Sequence, residues 1–276
     1  MEENRVLIAD SSCDVREGAF FVPTVPLSLH FGDREYIDRD GVDIAAMLRD
    51  MEDMSQNPTS ACPAPEAFEQ AFGDAAEGFC VTLSSRLSGS YNSARIGMRD
   101  ILEHHPERRL HVVDSRSASA AQILLTMQLA KMTQEGVPFA ETVKRIEEFR
   151  DSMSTLFVIQ HFENFIRSGR ISKIAGVVAK LLSITPICGD DGEGQIKIFQ
   201  KVRGERKALT AMVEQIARRQ DPTGRTLVIT HCNNPEGAQY VADLANEKYQ
   251  IAETHIFPMG ALSSYYAGNK GVILAI

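Results

Sequence analysis

The stretch Arg5-Val6-Leu7-Ile8-Ala9-Asp10-Ser11-Ser12 decides how the rest of the chain is read. A short, unbroken apolar run is the pattern of a strand buried on both faces, and this one delivers an acid and two hydroxyls at its carboxyl end. The same grammar recurs twice: residues 78–83 run into Ser84-Ser85, and residues 110–113 into Asp114-Ser115. Helical periodicity covers residues 65–76, 92–103 and 119–134. Strands alternating with helices predict an α/β protein whose parallel sheet carries helices on both faces. Ligands of such open sheets bind outside the carboxyl ends of the strands, so the three Asp/Ser clusters are expected to meet in one polar crevice. Ser and Asp at these places serve equally well as helix caps, and that reading stands beside the first.

Residues 138–153 form an amphipathic helix with Phe139, Val143, Ile146 and Phe149 on one stripe. Past it the pattern changes. A strand is expected at 156–160, a short helix at 162–168 ended by Gly169, and a helix at 173–183 carrying Ile174, Val177, Val178, Leu181 and Leu182. Ile187 and residues 196–202 flank the turn 189–194, which reads as a hairpin with a loose tip. Helices at 206–219 and 236–247 bracket a strand at 226–230, and the chain closes with a strand at 251–257, a short helix near Ser263 and a strand at 271–276. A hairpin amid helices signals a second, mixed-sheet α/β domain. The expected division is residues 1–154 and residues 155–276.

Composition narrows the function. With 276 residues, 43% of them hydrophobic and 24% charged, the chain reads as a soluble globular protein able to bury a large core. A net charge of -8 argues against a nucleic-acid partner, which wants a basic surface. The longest apolar runs fall well short of the ~20 residues that span a membrane, so stable membrane insertion is not expected. Met1-Glu2-Glu3-Asn4-Arg5 leads straight into a strand with no secretory pattern. Cys13, Cys62, Cys80, Cys188 and Cys232 are odd in number and scattered, which suits free thiols in a reducing cytoplasm.

Two hydroxyl-rich segments carry the chemistry. Pro58-Thr59-Ser60-Ala61-Cys62-Pro63 is stiffened by prolines, and the string from Leu83 to Ser93 sets Ser84, Ser85, Ser88, Ser90 and Ser93 where a strand gives way to a helix. Free N–H groups at a helix start with hydroxyls beside them suit a carboxylate or phosphate, and suit an N-cap cluster equally. Phosphate-loop, nucleophile-elbow and zinc-helix motifs are absent, and the Gly192-Glu193-Gly194 triplet sits in the expected hairpin without a third glycine. Of seven histidines, His231 stands at a strand end, so one enzymatic alternative is a hydrolase or transferase using Ser88 or Ser90 with His231 as base. Cations gather at Arg167, Arg170 and Lys173 and again at Lys201, Arg203, Arg206 and Lys207, forming either a docking patch for an acidic partner or a solvated face.

In this order, Val6 to Ser12, Thr59-Ser60, the Ser84-to-Ala94 string, Val113-Asp114-Ser115, Ser168-Gly169-Arg170-Ile171 and Lys201-Val202-Arg203 resemble the DegV family, along essentially the whole chain. The resemblance implies a two-domain α/β fold with a fatty acid buried between the domains and no cofactor. It implies carboxyl binding by Thr59, Ser60, Ser88, Gly89 and Ser90, and docking of a fatty acid kinase subunit at Arg170, Lys173 and Arg203. On that reading the protein carries the lipid, the partner brings ATP and metal, and acyl phosphate forms on the bound chain. A sensor with a different protein partner is the further alternative. Two departures stand out: Ala61-Cys62 lengthens the Thr-Ser segment, and Tyr266 falls where the family commonly has histidine. A phenol still donates one hydrogen bond to a carboxyl but does not titrate near neutral pH. Phe20, Phe21, Phe162, Phe165 and Ile166 are the expected tunnel walls.

Overall fold

A computed structural model describes residues 4–52, 58–160, 162–171, 176 and 184–276. The chain runs β1 (Arg5–Asp10), β2 (Thr24–Val25), β3 (Ser28–Phe31), β4 (Arg34–Ile37), α1 (Ile44–Glu52), β5 (Thr59–Ala61), α2 (Pro65–Phe72), β6 (Glu77–Thr82), α3 (Ser90–His104), β7 (Arg109–Asp114), α4 (Ala120–Gln134) and α5 (Phe139–Ser152). It continues through β8 (Thr155–Val158), α6 (Glu163–Arg167), β9 (Thr185–Asp190), β10 (Ile196–Val202), α7 (Glu205–Arg219), β11 (Thr226–His231), α8 (Pro235–Lys248), β12 (Glu253–Pro258), α9 (Ala261–Ala267) and β13 (Val272–Ala275). The helix expected at 173–183, with Lys173, lies outside the described residues, as does His161.

The first sheet is parallel, in the order β2-β1-β6-β7. Alternation along its strands sorts side chains to two faces. Ile8, Cys80 and Val112 pack with Phe68, Phe72 and Ala94 of α2 and α3, while Ala9, Phe79, Val81 and Val113 pack against α4 and α5. The second sheet is mixed, in the order β10-β9-β8-β13-β11-β12, with only β11 and β12 parallel among these pairs. Its outer face is covered by Met212 and Ile216 of α7 and Val241 of α8. The predicted hairpin is present as β9 and β10.

Helix α4 joins the two layers. Ala120, Ala121, Ile123, Leu124, Leu125 and Leu129 are buried around most of its circumference, and their core includes Ala9 of the first sheet together with Val228 and Ala275 of the second. A helix apolar all round is one enclosed on all sides, which is why α4 shows no single stripe.

A third, antiparallel sheet, β4-β3-β5, packs with α1 and α9 through Leu29, Phe31, Met47 and Tyr265. The sequence pattern predicts no element within residues 24–52, although Ser28-Leu29-His30-Phe31 alternates as a strand does. Two buried carboxylates then anchor the start of α9 to the first half of the chain. Asp14 accepts the Gly260 N–H at 2.9 Å, and Asp38 accepts the Ala261 N–H at 2.8 Å while pairing with Arg16 at 2.8 Å.

Candidate binding cavity

A cavity of about 890 Å³, counting the part open to solvent, lies between the loops at the carboxyl ends of the parallel sheet and one face of the mixed sheet. Its floor is β8 with the residue that follows it. Thr155, Phe157 and Ile159 all line it, alternate residues on one face of an extended chain, which at about 3.3 Å per residue makes a run of about 13 Å. Ile273, paired with Phe157 across β13, widens that floor. Leu27, Leu83, Leu87 and Ala118 close it from the first half of the chain, and Leu262 and Ala267 of α9 from the second. The middle is therefore apolar and elongated.

Hydroxyls of Ser12, Ser117, Ser119, Thr155 and Ser263 line the cavity, as do those of Ser60, Ser88 and Tyr266 with Phe165 and Arg170 beside them. The Tyr266 ring packs on Phe165 with centroids 4.8 Å apart, and its hydroxyl meets that of Ser60 at 3.0 Å. Ser88 joins the wall through the turn before α3. Its Oγ accepts the Ser90 N–H at 3.2 Å, and a Cβ on Gly89 would come within 3.0 Å of Cys62 Sγ, so the absence of a side chain lets the turn lie close against the β5 segment.

The residues named from sequence thus divide. Ser60, Ser88 and Tyr266 come together. Thr59 does not line the cavity, because alternation in β5 turns Ser60 inward and leaves Thr59 exposed, its backbone paired with His30. Ser90 is fully buried and donates from Oγ to Asp10 at 2.6 Å. That carboxylate also accepts from the N–H groups of Ser12 and Leu83 and from Gln122 Nε2. Burial outweighs these donors and pushes the Asp10 carboxyl up to about 6. Arg170 sits on the cavity wall, donating to the carbonyls of Leu87 at 3.2 Å and Ser168 at 2.8 Å. Arg203 is exposed. Among the five expected tunnel walls only Phe165 lines the cavity: Phe20 packs on His255, Phe162 is buried in the core beside Phe165, and Phe21 and Ile166 are exposed.

His231 accepts the Asn234 N–H on Nδ1 at 3.3 Å, and burial lowers its pKa. It is not among the residues lining the cavity. The described residues show no hydrogen bond between His231 and Ser88 or Ser90, so the hydrolase alternative lacks its nucleophile–base pair. The site residues missed from sequence are Phe157, Ile159 and Ile273. Period-two reading of the strand expected at 156–160 would have set Phe157 and Ile159 on one face.

An α/β protein with a largely apolar cavity on the face of one sheet and hydroxyls on its wall is built as a container for an elongated ligand with a small polar head. The DegV family, described as uncharacterised, matches residues 5–276, and the chain belongs to it. The chain is similar to a DegV domain-containing protein of Streptococcus pyogenes serotype M1, 33% identical over 273 residues and 97% of each chain. Among solved structures it resembles a DegV family protein from Eubacterium eligens loaded with heptadecanoic acid, at 31% identity, TM-score 0.92 and 98% of each chain. It also resembles the Streptococcus pneumoniae Fatty Acid Kinase (Fak) B3 protein loaded with linoleic acid, at 31% identity and TM-score 0.93, over 99% of this chain and 98% of that one. These neighbours are fatty-acid-binding proteins of the same α/β fold. Among the described residues no helix is long and apolar enough to cross a membrane.

Proposed function

We propose that the protein binds one long-chain fatty acid in this cavity and presents its carboxyl group to a kinase subunit for acyl-phosphate formation. The observation that carries the reading is the Ser60–Tyr266 hydroxyl pair, at 3.0 Å, on the wall of a cavity that Phe157, Ile159 and Ile273 also line. The chain portion gains about 0.8 kcal/mol for each methylene taken from water. Hydroxyls from Ser60, Ser88 and Tyr266 then hold the carboxyl end, with the Arg170 guanidinium on the same wall. The protein itself supplies no catalytic group. Its halves, residues 1–154 and 155–276, enclose the lipid in the cytoplasm, and Arg170, Lys173 and Arg203 dock the kinase, which brings ATP and metal.

Extraction and mass spectrometry test the lipid. A stoichiometric long-chain acid is expected, and a protein that is empty and takes up no palmitate, stearate or oleate overturns the reading. The kinase step is tested with a fatty acid kinase catalytic subunit and ATP. Acyl phosphate is expected with the wild type, and Arg203→Glu should suppress it without releasing the lipid. Equal activity of that variant removes Arg203 from the docking surface.

A further inference from the structure

The cavity wall carries a second polar group where β8 begins: Arg116, Ser117, Thr155 and Asp190 line it. The same four residues also line a second cavity of about 380 Å³, partly open to solvent, together with Ser115, Arg150, Asp151, Met153 and Gly192. Residues that face two cavities are the partition between them.

That partition is bonded across the two halves of the chain. Ser117 Oγ and Thr155 Oγ1 meet at 2.8 Å. The Thr155 N–H donates to Asp190 Oδ2 at 2.7 Å, and Arg219 pairs with the same carboxylate at 3.1 Å. The Ser117 carbonyl accepts the Ser84 N–H at 2.7 Å and the Ser115 hydroxyl at 2.9 Å. The β9–β10 hairpin tip is secured at the same place, where Ser84 Oγ donates to the Gly194 carbonyl at 2.7 Å. Gly194 has φ of 87°, and an added Cβ would clash with that Oγ, so the tip closes down only with glycine there.

The two chambers differ in chemistry. On one side of the wall stand Phe157, Ile196 and Ile273. On the other stand Arg150 and Asp151, hydrogen-bonded to each other. An alkyl end is favoured among the first group and not among the second.

We propose that the Ser117–Thr155 pair is the end wall of the acyl cavity and sets the longest chain this protein accepts, the second chamber being the space a longer chain would enter. The inference rests on the fatty-acid reading. It assigns chain-length selection to the junction of β8 with the loop after β7.

The test offers an equimolar ladder of saturated acids, laurate to behenate, to the full-length protein and reads the bound fraction by mass spectrometry. Wild type should discriminate against the longest members. Ser117→Ala with Thr155→Ala should raise the behenate-to-palmitate ratio by about tenfold or more, the scale on which a steric limit discriminates chain lengths. Adding Met153→Trp, which fills the second chamber, should return the ratio to that of wild type. A melting curve establishes that each variant is folded, and the single Ser117→Ala variant carries the test if the double variant does not fold. An unchanged ladder in a folded variant, or a longer preference that survives Met153→Trp, overturns the wall. A wild type that binds no member of the ladder instead overturns the fatty-acid reading.

Discussion

The strand ends of the parallel sheet and the cavity-lining face of β8 were built to different purposes from different residues. At the strand ends, polar groups bond one another: Asp10 gathers Ser12, Leu83, Ser90 and Gln122 in a fully buried knot. Along β8 and the residue after it, Thr155, Phe157 and Ile159 line the cavity. The cavity does lie where the strands end, lined by Ser12, Leu83 and Ser117, but Asp10, Ser90 and Gln122 at the centre of the knot do not line it. In this protein the knot fixes the crevice, and the apolar strand face opposite it supplies the room.

Removing the centre of the knot is the strongest way to break that contrast. Asp10→Ala leaves buried donors on Ser12, Leu83, Ser90 and Gln122 without their acceptor, an expected loss of about 3–5 kcal/mol in urea unfolding. A loss below about 1 kcal/mol would show that the knot is not structural. Next in size is its pH dependence. Asp10 and Asp14 are each pushed up to about 6 by burial, from an ordinary carboxyl value of 3.8. Between those values the folded protein holds protons that the unfolded chain has released, so this contribution to stability is full below about pH 4 and is lost as pH rises through about 6, amounting to at most about 3 kcal/mol per group. The stability difference between wild type and Asp10→Asn, followed by thermal melts, should therefore move in favour of wild type as pH falls from 7 to 4. A flat difference would mean that the donors around Asp10 hold it in the carboxylate form at all these pH values.

The opposite prediction applies at the cavity. Tyr266→Phe removes a hydroxyl that lines the cavity, so on the proposed reading fatty-acid affinity should fall about tenfold while stability changes little. Ser90→Ala should do the reverse, costing about 1–2 kcal/mol of stability through the Asp10 knot and leaving affinity unchanged. Calorimetric titration beside a melting curve reads both. Weakened binding in Ser90→Ala at unchanged stability would erase the distinction between knot and cavity.

Much of this was legible in the sequence. The strands at Arg5–Asp10, Glu77–Thr82 and Arg109–Asp114 announced themselves because strands buried on both faces are continuously apolar. The hairpin was announced by the glycines and aspartates of its tip. Less legible was anything that depends on two distant segments meeting. Ser60 and Tyr266 are 206 residues apart, and Ser117 and Thr155 belong to different halves. Phe165 and Phe20 look alike as isolated aromatics, yet one lines the cavity and the other packs on His255. The sheet of β3, β4 and β5 went unseen because its strands are two-sided and short, four, four and three residues.

The smallest expected effect is at Thr59, and it tests the alternation of β5 most directly. Thr59 and Ser60 are neighbours with the same functional group, so composition and local propensity barely separate them. Burial does: Ser60 is half-buried against Tyr266, and Thr59 is exposed. Thr59→Ala should shift stability by no more than about 0.5 kcal/mol, as exposed substitutions do, and leave fatty-acid affinity unchanged. Ser60→Ala should lower affinity about tenfold, since its hydroxyl loses the ligand and Tyr266 together. If Thr59→Ala weakens binding as much as Ser60→Ala, then β5 turns its other edge inward once lipid is bound. The carboxyl would then be held by the pair that the family resemblance names rather than by Ser60 alone.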